Sequence, residues 1–124
     1  MLVTGIDIIE IWRVRRVVTR WGDRFLRRIY TDQELDFCSG QIPRLAARFA
    51  AKEATSKALG TGIRGIMWKE VEVIRELGKA PTIHLHGKAY QKAETLGIRS
   101  LALTISHSKD YAIASVVGWR ENTD

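Results

Sequence analysis

Two acids sit in apolar company, and because an ionised carboxylate is costly to bury, they are the first residues that call for chemistry. Asp7 interrupts the apolar run from Val3 to Ile9. Glu53 follows Phe49 and Ala50 by four and three positions, so that on a helix all three share one side. Each acid has an ordinary solution: Lys57, four positions after Glu53, offers a salt bridge, and Asp7 is able to cap backbone groups. Together they suggest more. If the strand end and the helix meet, the pair can hold Mg²⁺, which takes oxygen ligands and leaves positions for water and substrate phosphates. A phosphorylated substrate is then expected.

Around Glu53, Arg48, Lys52, Ser56 and Lys57 bring cations and a hydroxyl from successive turns, a set suited to a pyrophosphate, with solvated surface positions as the alternative for each. Gly60, Gly62 and Gly65 spell G-x-G-x-x-G, but a dinucleotide fingerprint follows a strand and opens a helix, whereas this one closes a helix. They are read as a C-cap and loop, with room for a ligand to approach or as a plain turn. His107, between Ser106 and Ser108 at a strand end, is placed to contact a phosphate, although a lone histidine is more often structural. His84 and His86 lack a third nearby metal ligand, and Cys38 lacks a nucleophile's signature; neither is given chemistry.

The elements that must position these residues follow from local signals. Val3 to Ile9 reads as a buried strand and the arginine-rich stretch after it as helical. Thr31 with Glu34 forms a capping box for a short helix through Phe37, and Pro43 and Gly60 bracket an alanine-rich helix. Trp68 to Glu76 and Thr82 to His86 predict one hairpin, and Leu101 to Ser106 and Tyr111 to Trp119 a second. Lys88 to Leu96, stopped by Gly97, predicts a helix between them. This order favours an α+β fold over a doubly wound parallel sheet.

The chain has 124 residues, the size of one domain, and 45% of them are hydrophobic, enough for a core. A single cysteine excludes an internal disulfide framework and points to a reducing, cytoplasmic setting. The longest apolar run, Tyr111 to Trp119, is far short of the roughly 20 residues of a membrane span, and no signal-peptide pattern follows Met1. The net charge of +6 is local: Arg13, Arg15, Arg16, Arg20, Arg24, Arg27 and Arg28, against Asp23 alone, account for all of it. Such a patch suits an anionic partner, and its guanidinium groups favour carboxylate or phosphate over a merely solvated face.

Taken together, these segments resemble the holo-[acyl-carrier-protein] synthase family, the small type of 4′-phosphopantetheinyl transferase, over nearly the whole chain. The resemblance rests on Gly5-Ile-Asp-Ile-Ile-Glu-Ile, Arg48-Phe-Ala-Ala-Lys-Glu-Ala with Lys57-Ala-Leu-Gly-Thr-Gly, Trp68 before Val71-Glu-Val, and Ile105-Ser-His-Ser. It implies a single domain with an antiparallel sheet packed against a long helix. It also implies transfer of phosphopantetheine from coenzyme A to a serine of apo acyl carrier protein, releasing adenosine 3′,5′-bisphosphate. Asp7 and Glu53 match the family's metal acids, expected to hold Mg²⁺, and Lys57 joins them as a catalytic candidate. Arg48, Lys52, Ser56, Lys57, Gly60 and His107 fall at or beside positions around coenzyme A. Arg13, Arg20 and Arg24 fall on the carrier-docking surface, and a homotrimer with sites between subunits is implied. A competing reading from the residues alone is a nucleic-acid module, with Trp12, Trp21 and Phe25 among the arginines, but it leaves both acids without a task.

Overall fold

The structure is a computed structural model, and it describes residues 1–60 and 65–121. The fold is α+β. Strand β1 (Leu2–Glu10) runs into helix α1 (Ile11–Trp21), followed by α2 (Asp23–Ile29), α3 (Asp32–Cys38) and the long α4 (Ile42–Ala58). A 3₁₀ turn at Trp68–Glu70 leads into β2 (Val71–Ile74), then β3 (Thr82–Leu85), α5 (Gly87–Leu96), β4 (Ile98–His107) and β5 (Tyr111–Arg120). Among the described residues, no helix is long and apolar enough to cross a membrane.

The antiparallel sheet has the order β1-β5-β4, and β2 with β3 forms a separate hairpin. Alternation along the strands gives the larger sheet two different faces. One row carries Asp7, Ala114 and Ile105 side by side, and the next carries Ile9, Ala112 and His107. On this side Ala114 and Val116 of β5 are fully buried beneath Ala50, Ala51 and Ala54 of α4, and small side chains on both surfaces let helix and sheet pack closely. Nearer its N-terminus α4 adds Leu45, Ala46 and Ala47 to a second cluster with Ile11, Val14, Ile29 and Tyr30. The helix is therefore buried nearly all round.

Local chemistry explains the shorter elements. Thr31 and Glu34 form the expected capping box, each side chain bonding the other's backbone N–H. The arginine-rich stretch is two helices rather than one, broken where Gly22 takes φ 52, a conformation disfavoured for residues with a Cβ. The segment predicted as a strand from Trp68 begins instead as a 3₁₀ turn, because the Glu70 carboxylate accepts from the backbone of Met67 and Lys88 and draws it into a bend. The Ile11 N–H donates to Asp110 O at 2.8 Å, tying the start of α1 to the β4–β5 turn.

Candidate active site

The site is made by a missing side chain. A Cβ on Gly5 would lie 1.8 Å from the Ala54 carbonyl oxygen and 2.9 Å from the Ala58 nitrogen, so only glycine lets β1 lie this close to α4. Asp7, two residues along on the same strand face, and Glu53, next to Ala54, are brought together by that contact. Their proximity registers electrostatically: burial first, and then the charge of Asp7, raise the Glu53 carboxyl above its ordinary value, with Lys57 opposing. Glu53 forms no ion pair among the described residues.

Lys57 pairs with the other acid. Its ammonium donates to Asp7 Oδ1 at 3.2 Å and to the Ile6 carbonyl at 2.9 Å, so the Glu53–Lys57 bridge offered by helical spacing gives way to a contact across elements. Among the described residues no group of three or more His, Cys, Asp or Glu side chains is placed to hold a metal. Two carboxylates alone fit Mg²⁺, which is reluctant to shed its water and commonly binds through one or two protein acids plus substrate phosphate.

Three of the expected substrate contacts lie buried in the structure. Lys52 is fully buried; its ammonium donates to Glu34 Oε1 at 2.8 Å and to the carbonyls of Trp68 and Val71. Burial pulls its affinity for a proton down, and Glu34 opposes that shift. Arg48 is buried too, with its guanidinium 4.4 Å over the Phe37 ring and one bond to the Arg44 carbonyl, while Nε and Nη2 find no partner among the described residues. The Ser56 hydroxyl is spent on the Glu53 carbonyl at 2.7 Å. None of these three side chains is presented to solvent. The physical reason is that α4 is enclosed on two sides, so positions that look like a polar helix face are core.

Lys57 and Gly60 remain at the accessible end of α4, where Gly60 adopts φ 75 just after the helix. The rest of the glycine pattern, including Gly62, lies outside the described residues. His107 is exposed at the end of β4, on the same sheet face as Asp7. Arg13 pairs with Glu10 at 3.0 Å at the surface, Arg20 lies over the Trp21 ring, and Arg24 lines an open groove of about 430 Å³ with Val17, Trp21, Phe25 and Arg28. His86 takes a structural part, contacting Glu72 at 3.0 Å. Burial pushes the Cys38 thiol up to about 11, as suits an inert packing residue.

Sequence reading missed the function of Gly5 and the extent of the Glu34 network. Glycine inside an apolar strand, two residues before an acid, was the available signal for the first. For the second, the capping box revealed only half of Glu34, whose other oxygen accepts from the Val73 N–H at 2.9 Å.

One prediction follows from the acid pair itself. Because native Glu53 holds its proton more tightly than the unfolded chain does, the native state binds more protons between the two pKa values, and stability falls as pH rises through that window. In metal-free buffer at about pH 7.5, Glu53→Gln should melt above wild type, and the gap should close below roughly pH 4, where the carboxyl is protonated in both states. Thermal melts across pH check this. A wild type that melts higher near neutrality would contradict it.

Comparison with known proteins gives a consistent picture. Residues 4–116 match the family model described as the 4′-phosphopantetheinyl transferase superfamily. The chain is 50% identical to a holo-[acyl-carrier-protein] synthase of Herpetosiphon aurantiacus, covering 95% of this chain and 98% of that one. It is 51% identical to the synonymous protein of Koribacter versatilis, covering 94% and 97%. Among solved structures, the Helicobacter pylori holo-[acyl-carrier-protein] synthase in complex with coenzyme A superposes with a TM-score of 0.85, at 35% identity over 94% of this chain and 99% of that one.

Proposed function

Because the chain belongs to the 4′-phosphopantetheinyl transferase superfamily, we propose that it transfers the 4′-phosphopantetheine group of coenzyme A to a serine of apo acyl carrier protein. The serine hydroxyl gives up its proton to water as its oxygen bonds to the phosphorus of the pantetheine phosphate, the bond from that phosphorus to the bridging pyrophosphate oxygen breaks, and adenosine 3′,5′-bisphosphate leaves. The observation that carries this reading is the Asp7–Glu53 pair, drawn together by the close approach at Gly5 and flanked by the Lys57 ammonium. Asp7 and Glu53 would hold Mg²⁺, which supplies positive charge against the pyrophosphate as negative charge builds on the leaving phosphate.

The chain's own groups do the rest. Lys57, half exposed, can turn its ammonium to a phosphate oxygen, and Gly60 leaves the end of α4 without a side chain in the way. His107 offers a donor to a phosphate from the end of β4. The setting is the cytoplasm, where coenzyme A and acidic carrier proteins are both present.

The carrier docks on α1 and α2 through Arg13, Arg20 and Arg24, and their effect falls chiefly on encounter. Reversing Arg13 and Arg20 to Glu should therefore raise the KM for carrier about tenfold or more while leaving that for coenzyme A nearly unchanged, measured by steady-state kinetics at low salt. Equal rises would contradict the assignment.

The sheet face turned away from α4 argues for assembly. Ile6 and Ile8 are 59% and 60% exposed and Trp119 55%, with Leu2 and Val117 in the adjoining register, so large apolar side chains line one exposed sheet face. A homotrimer covers it and brings each acid pair beside a neighbour's surface; light scattering would then give three times the chain mass of 14.1 kDa.

Intact-mass measurement of an apo carrier after incubation with the protein, Mg²⁺ and coenzyme A tests the activity. The expected result is a gain of one phosphopantetheine per carrier. No gain on a carrier that a known transferase modifies would overturn the proposal.

A further inference from the structure

The position of Lys57 carries an inference that rests on the reading of Asp7 and Glu53 as a metal pair. Helical spacing offers the Lys57 ammonium to Glu53, one turn back on α4, yet the ammonium crosses to β1 and divides itself between the Ile6 carbonyl and Asp7 Oδ1. The acid it meets is only 17% exposed, whereas the lysine side chain is 52% exposed. The cation can thus leave into solvent by rotating its own chain, while the carboxylate stays fixed by β1 and the packing of Gly5 on α4. An ammonium and a hard divalent ion seek the same carboxylate oxygen.

We propose that Lys57 is a resident counter-ion of the acid pair, which a divalent metal displaces from Asp7 and which then turns to the substrate's phosphate. The exchange is one of ion pairs alone, with no covalent bond made or broken. Before metal arrives, the ammonium offsets part of the repulsion between two neighbouring carboxylates. When metal arrives with a pyrophosphate, the freed cation finds a new anion within reach. Metal and coenzyme A then favour each other's binding, because each draws Lys57 away from the position that opposes the other, and linkage requires this coupling to be reciprocal.

The consequence is a substitution with effects of opposite sign. Lys57→Met should tighten metal binding by roughly three- to tenfold in the absence of coenzyme A, the range spanned by losing one partly exposed competing ion pair and its charge. The same variant should weaken coenzyme A binding in the presence of metal and lose the coupling between the two ligands.

The test uses Mn²⁺ as probe, with free ion counted by electron paramagnetic resonance, for wild type, Lys57→Met and Asp7→Asn, each checked for fold by thermal melting. In parallel, the Lys57 ammonium signal in ¹H–¹⁵N spectra, assigned by its absence from Lys57→Met, is followed as Mg²⁺ is added. Tighter Mn²⁺ binding in Lys57→Met, weaker binding in Asp7→Asn and a shift of the ammonium signal support the exchange. Unchanged or weaker Mn²⁺ binding in Lys57→Met, or an ammonium signal indifferent to Mg²⁺, overturns it while leaving the metal pair intact. Mn²⁺ binding indifferent to Asp7→Asn overturns the metal pair, and the exchange with it.

Discussion

Gly5→Ala should cost about 3 kcal/mol of stability and lower kcat/KM by roughly 10²-fold or more, although position 5 touches no substrate. The added methyl would sit 1.8 Å from the Ala54 carbonyl oxygen and 2.9 Å from both the Ala54 carbon and the Ala58 nitrogen, all of them backbone. No rotamer relieves such a clash, so β1 and α4 have to separate. Separation acts directly on the site, because Asp7 and Glu53 sit two residues and one residue from the contact on opposite sides of the same seam. Thermal melting and steady-state kinetics on one preparation check both parts. A variant with wild-type melting and rate would show that the seam does not set the distance between the acids.

The second large effect is expected at a residue that sequence reading placed beside coenzyme A and that the structure pairs with Glu34. Lys52→Met should lower stability by about 3–5 kcal/mol, because it leaves the Glu34 carboxylate buried without its cation. For a chain of this size that is a fall in melting temperature of roughly 10–25 °C. The pair has more than one task. Its ammonium donates to the Val71 carbonyl and its carboxylate accepts from the Val73 N–H, so together they take the place of a neighbouring strand along the open side of β2. The network continues from Thr31, whose hydroxyl donates to Glu72, to His86 at the start of α5. Burial works to raise the Glu72 carboxyl, but the Thr31 hydroxyl and His86 together hold it below its ordinary value. Lys52→Met combined with Glu34→Gln should lose less than the two single losses added, since no uncompensated charge then remains. Strict additivity in denaturant melts would contradict the coupling.

These two residues also mark how far the sequence could be read. That Asp7 and Glu53 come near each other was legible because an acid in an apolar segment violates a local rule and asks for company. The elements around them were equally local: β1, the capping box at Thr31, and the boundaries of α4 and α5 are each written in a few adjacent residues. Gly22 was a readable break passed over within the arginine stretch. Lys52 was not readable in this way. It stands about 100° around α4 from Glu53, and nothing within one turn distinguishes a solvated lysine from one that meets an acid 18 residues earlier. The burial of Arg48 and Ser56 was illegible for the same reason, since it is a property of the assembled layers. The choice of Asp7 over Glu53 by Lys57 likewise depends on a strand 50 residues away.

The most direct test of the account is anomalous scattering from crystals grown with Mn²⁺ and coenzyme A. One ion is expected in contact with a carboxylate oxygen of Asp7, a carboxylate oxygen of Glu53 and the pyrophosphate, with the Lys57 ammonium moved onto a phosphate oxygen. An ion bound elsewhere, or coenzyme A seated with the two acids still facing only protein groups, would contradict it.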